Sequence, residues 1–171
     1  SNYVFPRPAD WPEHVYSSGY WFLDAELGWT PSEELLNFLR KGAPPIYVGF
    51  GSIADPALAT QTTELVIEAL RRSRQRGILA TGWNAMSELG QIPEEIFILD
   101  SVPHSWLFPQ TAAVVHHGGA GTTAACLKAG VPGIIVPFSN DQFAWGRRSL
   151  PSRPPCLAPG RSKAGSAPGC H

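Results

Sequence analysis

Short apolar segments recur along this chain, and each is separated from the next by a stretch with helical spacing. The segments lie at residues 46–48, 78–80, 96–99, 113–115 and 134–136. Apolar strands that alternate with helices are typical of a parallel sheet with both of its faces covered. The sequence therefore predicts an α/β domain in which helices pack on both faces of one parallel sheet.

The ends of two predicted helices carry recognisable signals. Thr30, Pro31 and Glu33 match an N-cap, a first helical residue and a capping box, and Gly42 would end that helix. Residues 122–129 fit a second helix, which Gly130 would close because glycine readily adopts the left-handed conformation of a C-terminal cap.

Composition divides the chain into three parts. Residues 1–28 are rich in proline and aromatic side chains, which predicts an extended interdomain or lead-in segment that packs on another part of the protein rather than a free linker. Residues 29–148 carry the alternating pattern of the α/β domain. Residues 149–171 contain no acidic residue, and 12 of these 23 residues are Pro, Gly or Ser, which predicts a disordered tail.

Charge and cysteine content exclude several classes of protein. Thirteen basic residues against fourteen acidic ones give a net charge of −1, which argues against a nucleic-acid binder. The three cysteines form no C-x-x-C pair, so a zinc ribbon or redox motif is not supported. With no secretory signal at the first residues, we expect a cytoplasmic location, with a position peripheral to a membrane left open for a full-length protein.

Polar and glycine-rich segments follow each of the predicted strands. Ligands of open parallel sheets bind beyond the carboxyl ends of the strands. The segment at 116–123, His-His-Gly-Gly-Ala-Gly-Thr-Thr, has the composition of a turn that aims backbone N–H groups at an anion. It predicts a phosphate-bearing ligand; the alternative is a tight turn that binds nothing. No Walker lysine follows the similar segment at 49–52, so nucleoside triphosphate hydrolysis is not supported.

One interpretation of the two adjacent histidines in this turn is that they bind a metal ion. Adjacent residues of a strand point to opposite faces, so His116 and His117 are not expected to share one ion. We expect one of them to pack beneath the sheet and the other to face the ligand. Asp141 and Gln142 offer a carboxylate and an amide suited to sugar hydroxyls, although a helix N-cap and its neighbour would have the same sequence.

The same turn also fits a dinucleotide-binding fingerprint. Gly119, Gly121 and Ala124 have its spacing, and Asp141 lies about 20 residues further on, where the fingerprint places an acidic residue. The fingerprint usually occupies the first strand of its fold, whereas several strands precede this one. The spacing of the glycines nevertheless leaves a fragment of a dinucleotide-binding oxidoreductase as an alternative interpretation.

Several of these motifs, at matching spacing, resemble the donor-binding signature of GT-B glycosyltransferases. The resemblance covers residues 3–148 and is carried by segments 114–125, 130–132, 136–138 and 141–142. Segments 7–14, 19–24, 47–52, 102–109 and 145–148 are similar to the branch of the sterol 3-β-glucosyltransferases. The resemblance implies the Rossmann-like C-terminal half of a GT-B fold.

The resemblance also implies where a UDP-sugar would bind. Val102, through its backbone, and His104 would hold the uracil, and Asp141 and Gln142 would contact the hexose hydroxyls. The residues implied to contact the phosphates are Ser52, His117, Gly119, Gly121 and Thr122. The plant-type signature has an aromatic residue at the position of Ser101 and a glutamate at the position of Ala125, so the sequence departs from it there.

The implied reaction is an inverting transfer of a hexose, glucose from UDP-glucose, to a lipid or sterol-like hydroxyl. The family needs no metal or further cofactor, and its catalytic histidine lies in an acceptor-binding N-terminal domain. That domain would act in cis or in trans, so no catalytic residue is expected in this chain, and the isolated chain is expected to be inactive. A stand-alone module that binds UDP or a UDP-sugar without catalysis is the other alternative.

Overall fold

The computed structural model describes residues 6–22, 28–51, 56–80, 92–139 and 141–149. Strands and helices alternate through these residues, as the apolar segments predict. The strands are β1 (Ile46–Gly49), β2 (Gly77–Ala80), β3 (Ile96–Leu99), β4 (Ala113–His116) and β5 (Gly133–Ile135). The helices are α1 (Glu33–Arg40), α2 (Pro56–Ser73), α3 (His104–Leu107, followed by a 3-10 turn at Phe108–Gln110), α4 (Ala120–Ala129) and α5 (Gln142–Ser149).

All five strands pair in parallel in one sheet, in the order β3-β2-β1-β4-β5. The first strand lies in the middle, with Val48 opposite Leu79 of β2 on one side and Val115 of β4 on the other. From β1 the chain adds β2 and β3 on one side of the sheet, and then adds β4 and β5 on the other side. Such a reversal leaves a crevice at the carboxyl ends of the two central strands, and this crevice is where open α/β sheets bind ligands.

Helices cover both faces of the sheet, which confirms the predicted α/β class. On one face Tyr47 of β1 belongs to a buried cluster contributed by α1, α3 and α4; its helical members are Leu35, Phe38, Leu107 and Cys126. The neighbouring Val48 points to the opposite face and packs with Leu70 of α2. Burial of both faces explains why the strands are apolar at successive residues.

The helix ends differ in detail from those predicted. Ser32, not Thr30, is the N-cap of α1, because its Oγ accepts a hydrogen bond from the N–H of Leu35 at 3.2 Å. The helix ends at Lys41, whose N–H reaches two carbonyls of the last turn, rather than at Gly42. Helix α4 begins at Ala120, earlier than predicted, and Gly130 closes it with a φ of +67° as expected.

The described part of the lead-in segment, residues 6–22, touches the α/β domain. Tyr20 stacks on Trp145 of α5, with ring centroids 6.1 Å apart, and the ammonium of Lys128 in α4 lies over the ring of Phe22. The tail after residue 149 lies outside the described residues, and its disorder stays a prediction. Among the described residues, no helix combines the length and apolarity needed to cross a membrane.

Candidate functional site

The crevice between β1 and β4 is bordered by the glycine-rich segments that the sequence singles out. Gly49 pairs with His116 at the ends of these strands, and Gly51 and His117 follow directly. Gly51 has a φ of +68°, which a side chain would disfavour. The structure thus brings two predicted phosphate-binding turns side by side. Ser52, predicted to contact phosphate, lies outside the described residues.

The imidazole of His117 lies between the two glycine turns. A Cβ atom built at Gly119 would stand 2.6 Å from its Nε2, and one built at Gly51 would stand 3.5 Å from its Cε1. The Nδ1 of His117 is buried, and no hydrogen-bond partner for it exists among the described residues. Because buried polar atoms are almost always satisfied in folded proteins, a ligand group is the natural partner of this nitrogen.

Gly118 lets helix α5 approach this turn closely. Its φ is +94°, and a Cβ atom there would lie 2.7 Å from Cγ2 of Ile135 and 3.2 Å from the backbone oxygen of Gln142. Glycine therefore serves two requirements at one position, the left-handed backbone and the absence of a side chain. The consequence is that the beginning of α5, which carries Asp141 and Gln142, lies against the glycine turn.

The N-terminus of α4 has the properties of an anion site. Its N-cap is Gly119, which supplies no side chain, and a Cβ atom at Gly121 would meet open space among the described residues. The first N–H groups of this ten-residue helix therefore remain available, and the helix dipole favours a negative charge there. Thr122 is half-buried beside them, whereas Thr123 donates its hydroxyl to the carbonyl of Gly119 at 2.9 Å.

Asp141 and Gln142 are both held by local hydrogen bonds. The Oε1 of Gln142 accepts from the N–H groups of Phe138 and Ser139 at 2.8 and 3.0 Å. The Oδ2 of Asp141 accepts from the indole N–H of Trp145 at 2.9 Å. None of these bonds joins a side chain to a backbone N–H of α5, so they are not N-cap bonds. Each side chain uses one atom locally and retains a second polar atom for a ligand.

The two residues implied to hold the base lie on the β3 side of the sheet. His104 begins α3, stacks on Phe108 with ring centroids 4.4 Å apart, and places its Nε2 3.5 Å from the hydroxyl of Tyr47. Burial lowers the pKa of His104. Val102 is half-buried against the same core cluster. The ring of His104 is thus largely committed to packing, and its contact with uracil stays a prediction.

His116 anchors the glycine turn from beneath the sheet. It is almost completely buried, and its Nδ1 accepts a hydrogen bond from the N–H of Gly118 at 3.1 Å. His117 is only half-buried, so the expectation that one of the two histidines packs inward is confirmed for His116. The sequence does not reveal this anchoring role of His116. Its one local sign is a histidine that stands two residues before a glycine of the turn.

We expect the stability of the chain to depend on the protonation of His116. Burial, and to a lesser extent the neighbouring His117 and His104, lowers its pKa to about 4, so the unfolded chain binds a proton that the folded chain does not. The free energy of unfolding should therefore fall as the pH drops from about 6.5 to about 4, by at most about 3 kcal/mol. Urea titrations across this range measure the loss.

The matched variant for this measurement is His116→Asn. An asparagine Oδ1 can accept the Gly118 N–H, but it has no protonation step in this range. The variant should show a flatter pH profile than the wild type. An equally steep profile would show that other groups cause the acid sensitivity.

No group of three or more His, Cys, Asp or Glu side chains in the described part of the chain is placed to hold a metal ion. The described residues offer a phosphate at this site backbone N–H groups and the imidazole of His117. Both are donors that bind an anion without a metal.

Comparisons with known proteins agree with this geometry. Residues 64–153 match the family model of the erythromycin biosynthesis protein CIII-like C-terminal domain. The chain is 48% identical over 151 residues to a sterol 3-beta-glucosyltransferase of Arabidopsis thaliana, an alignment that covers 86% of this chain and 24% of the relative. It is 43% identical over 159 residues to a sterol 3-beta-glucosyltransferase of Aspergillus clavatus, covering 85% of this chain and 11% of the relative.

A solved structure shares the fold. A UDP-glucose:anthocyanidin 3-O-glucosyltransferase in complex with UDP superposes with a TM-score of 0.60 at 25% identity, covering 72% of this chain and 29% of that one. The chain spans about a quarter or less of the length of each of the two sterol 3-beta-glucosyltransferases.

Proposed function

Since the chain belongs to the family of erythromycin biosynthesis protein CIII-like C-terminal domains, the sugar-donor domains of GT-B glycosyltransferases, we propose that it binds a UDP-sugar in the crevice between β1 and β4. The observation that carries the proposal is the buried Nδ1 of His117, which has no hydrogen-bond partner in the described part of the chain, beside the N-terminus of α4, where no described side chain forms a cap. A diphosphate supplies acceptors for both at once. The chain's relatives are sterol 3-beta-glucosyltransferases, which supports glucose as the sugar.

In the proposed complex, each part of the site meets one part of the donor. The diphosphate lies on the N–H groups at the start of α4, with Thr122 and His117 as further donors. The hexose lies toward Asp141 and Gln142, which Gly118 allows to approach the turn. The base extends toward Val102 and His104, and Ser52 supplies a hydroxyl to a phosphate.

The same arrangement favours departure of UDP during transfer. When the bond between the anomeric carbon and the phosphate oxygen breaks, negative charge grows on the diphosphate. Fixed N–H donors and a helix dipole stabilise that charge without reorganising. We therefore propose that these residues assist the leaving group, and that an acceptor hydroxyl, from a sterol or related lipid, attacks the opposite face of the sugar.

Calorimetry with UDP, UDP-glucose and NAD tests the proposal against the dinucleotide alternative. We expect UDP and UDP-glucose to bind with one-to-one stoichiometry and NAD to give no saturable heat. Tight binding of NAD together with no binding of UDP would overturn the donor-domain proposal in favour of an oxidoreductase fragment.

We further expect the isolated chain to transfer no sugar. An inverting transfer needs a general base within hydrogen-bond reach of the acceptor hydroxyl. Four histidines lie in the described residues. His116 accepts a hydrogen bond from Gly118, His104 packs on Phe108, His117 lies in the donor turn and His14 lies in the lead-in segment. The chain is incubated with UDP-glucose and a panel of sterols, and glucosides are measured by mass spectrometry. Sterol-dependent turnover would contradict this expectation and reveal a base within the chain.

A further inference from the structure

Trp145 holds the carboxylate that the proposed donor site directs at the sugar. Its indole N–H donates to Oδ2 of Asp141 at 2.9 Å, across the first turn of α5. Asp141 is solvent-exposed, whereas Trp145 is half-buried. An exposed aspartate without such a donor would sample several rotamers, and fixing them on binding costs free energy. The indole therefore pre-organises the carboxylate before any ligand arrives.

Trp145 is itself in contact with the lead-in segment, and its neighbour Gly146 lies against the sheet. Tyr20 of the lead-in segment stacks on its ring at 6.1 Å with an interplanar angle of 30°. The next residue, Gly146, lies close to β5, since a Cβ atom there would be 3.5 Å from Cγ2 of Ile135. The lead-in segment thus reaches the donor site through one aromatic stack, although it is distant from that site in sequence.

Gln142 is oriented in a complementary way. Because its Oε1 accepts from two backbone N–H groups, the identity of the second amide atom is fixed: Nε2, a donor, is available to a ligand. Asp141, with Oδ2 occupied, offers Oδ1, an acceptor. The pair presents one acceptor and one donor side by side.

We propose that Trp145 is a positioning residue for sugar recognition. It fixes Asp141 in one orientation, so that the pair Asp141–Gln142, which the family resemblance already implies as the hexose contact, can bind two hydroxyls of a neutral pyranose. One hydroxyl would donate to Oδ1 of Asp141, and its neighbour would accept from Nε2 of Gln142. The assignment rests on the proposed binding of a UDP-sugar. It concerns the hexose alone, since neither Trp145 nor Tyr20 belongs to the glycine turn that would meet the diphosphate.

The test compares UDP with UDP-glucose by calorimetry, in the full chain and in Trp145→Phe. Phenylalanine retains a ring for Tyr20 but removes the N–H that holds Asp141. The affinity for UDP-glucose should fall about three- to tenfold, because the carboxylate of Asp141 would then lose its rotamer freedom only on binding, while the affinity for UDP stays within about twofold. A merely structural role would instead weaken both ligands together and lower the unfolding temperature.

Trp21→Phe is the matched control. Its indole N–H also makes a hydrogen bond, to the hydroxyl of Ser18 at 3.0 Å, but the side chain is 87% exposed. This variant should bind both ligands as the wild type does. Asp141→Asn should reproduce the selective loss, and combining it with Trp145→Phe should add little, because both changes act on one contact.

The outcomes separate this assignment from the proposed function. If Trp145→Phe binds UDP and UDP-glucose in the wild-type ratio, the positioning role is wrong while the donor site stands. If the two affinities fall equally, Trp145 supports the fold and not the sugar. If the wild-type chain binds no UDP, the proposed function fails and the assignment fails with it.

Discussion

Replacing Gly118 by alanine should disrupt the candidate donor site and destabilise the whole domain. The backbone at this position has a φ of +94°, which costs an L-residue roughly 1–2 kcal/mol. The added methyl would also stand 2.7 Å from Ile135 and 3.2 Å from the backbone of Gln142, and overpacking of this kind costs about 1–3 kcal/mol. The free energy of unfolding should fall by about 2–5 kcal/mol in urea titrations.

Ligand binding by the same variant should weaken as well. To accommodate the methyl, α5 must move away from the turn, or the turn must move away from α4. Either movement separates the proposed phosphate and sugar contacts, so the affinity for UDP-glucose should drop at least about tenfold, or 1.4 kcal/mol, in the fraction that remains folded.

Gly130→Ala is the control that separates backbone strain from close contact. Gly130 has a φ of +67°, comparable in strain, but a Cβ atom there would have no described neighbour within 4 Å. This variant should lose stability and keep its affinity for UDP-glucose. Equal loss of affinity in both variants would show that the effect at Gly118 is a general consequence of instability.

Replacing His117 by alanine should weaken UDP binding by roughly 1–3 kcal/mol, about 5- to 150-fold, because a hydrogen bond to a charged group is lost. The fold should survive, since the Nδ1 of His117 has no partner among the described residues whose loss would destabilise the free chain. Calorimetry gives the affinity and thermal unfolding gives the stability.

His14→Ala provides the matched control, because His14 is exposed in the lead-in segment. That variant should bind UDP as the wild type does. If His117→Ala also retains wild-type affinity, imidazole has no role in phosphate binding at this turn.

The strands could be predicted from the sequence nearly to the residue. Strands β1 to β4 are apolar runs that end at, or directly before, a glycine or a polar residue, and that signal is local, whereas β5 is followed by Val136 and Pro137. Helix starts were harder, since Thr30 and Ser32 both have a hydroxyl that can cap and only the backbone decides which one does. The sequence also predicts the position of the candidate site, because a glycine-rich turn after a buried strand is a contiguous motif.

The features that the sequence did not reveal are tertiary. Nothing near Gly118 in the chain indicates that Gln142 will lie against it. The stack of Tyr20 on Trp145 joins residues far apart in sequence. The contact of Gly118 with Gln142 depends on how α5 docks on β5, and the stack also depends on where the lead-in segment lies. No local sequence pattern specifies either arrangement.

The most direct test of a diphosphate site at the start of α4 is a titration of the isotope-labelled chain with UDP, followed by amide NMR. The backbone N–H signals of residues 119–122 should show the largest shifts and saturate with the calorimetric affinity. Uridine, which lacks the diphosphate, should leave these signals nearly unchanged. Shifts that centre elsewhere in the described structure, or equal shifts with uridine, would contradict the proposed site.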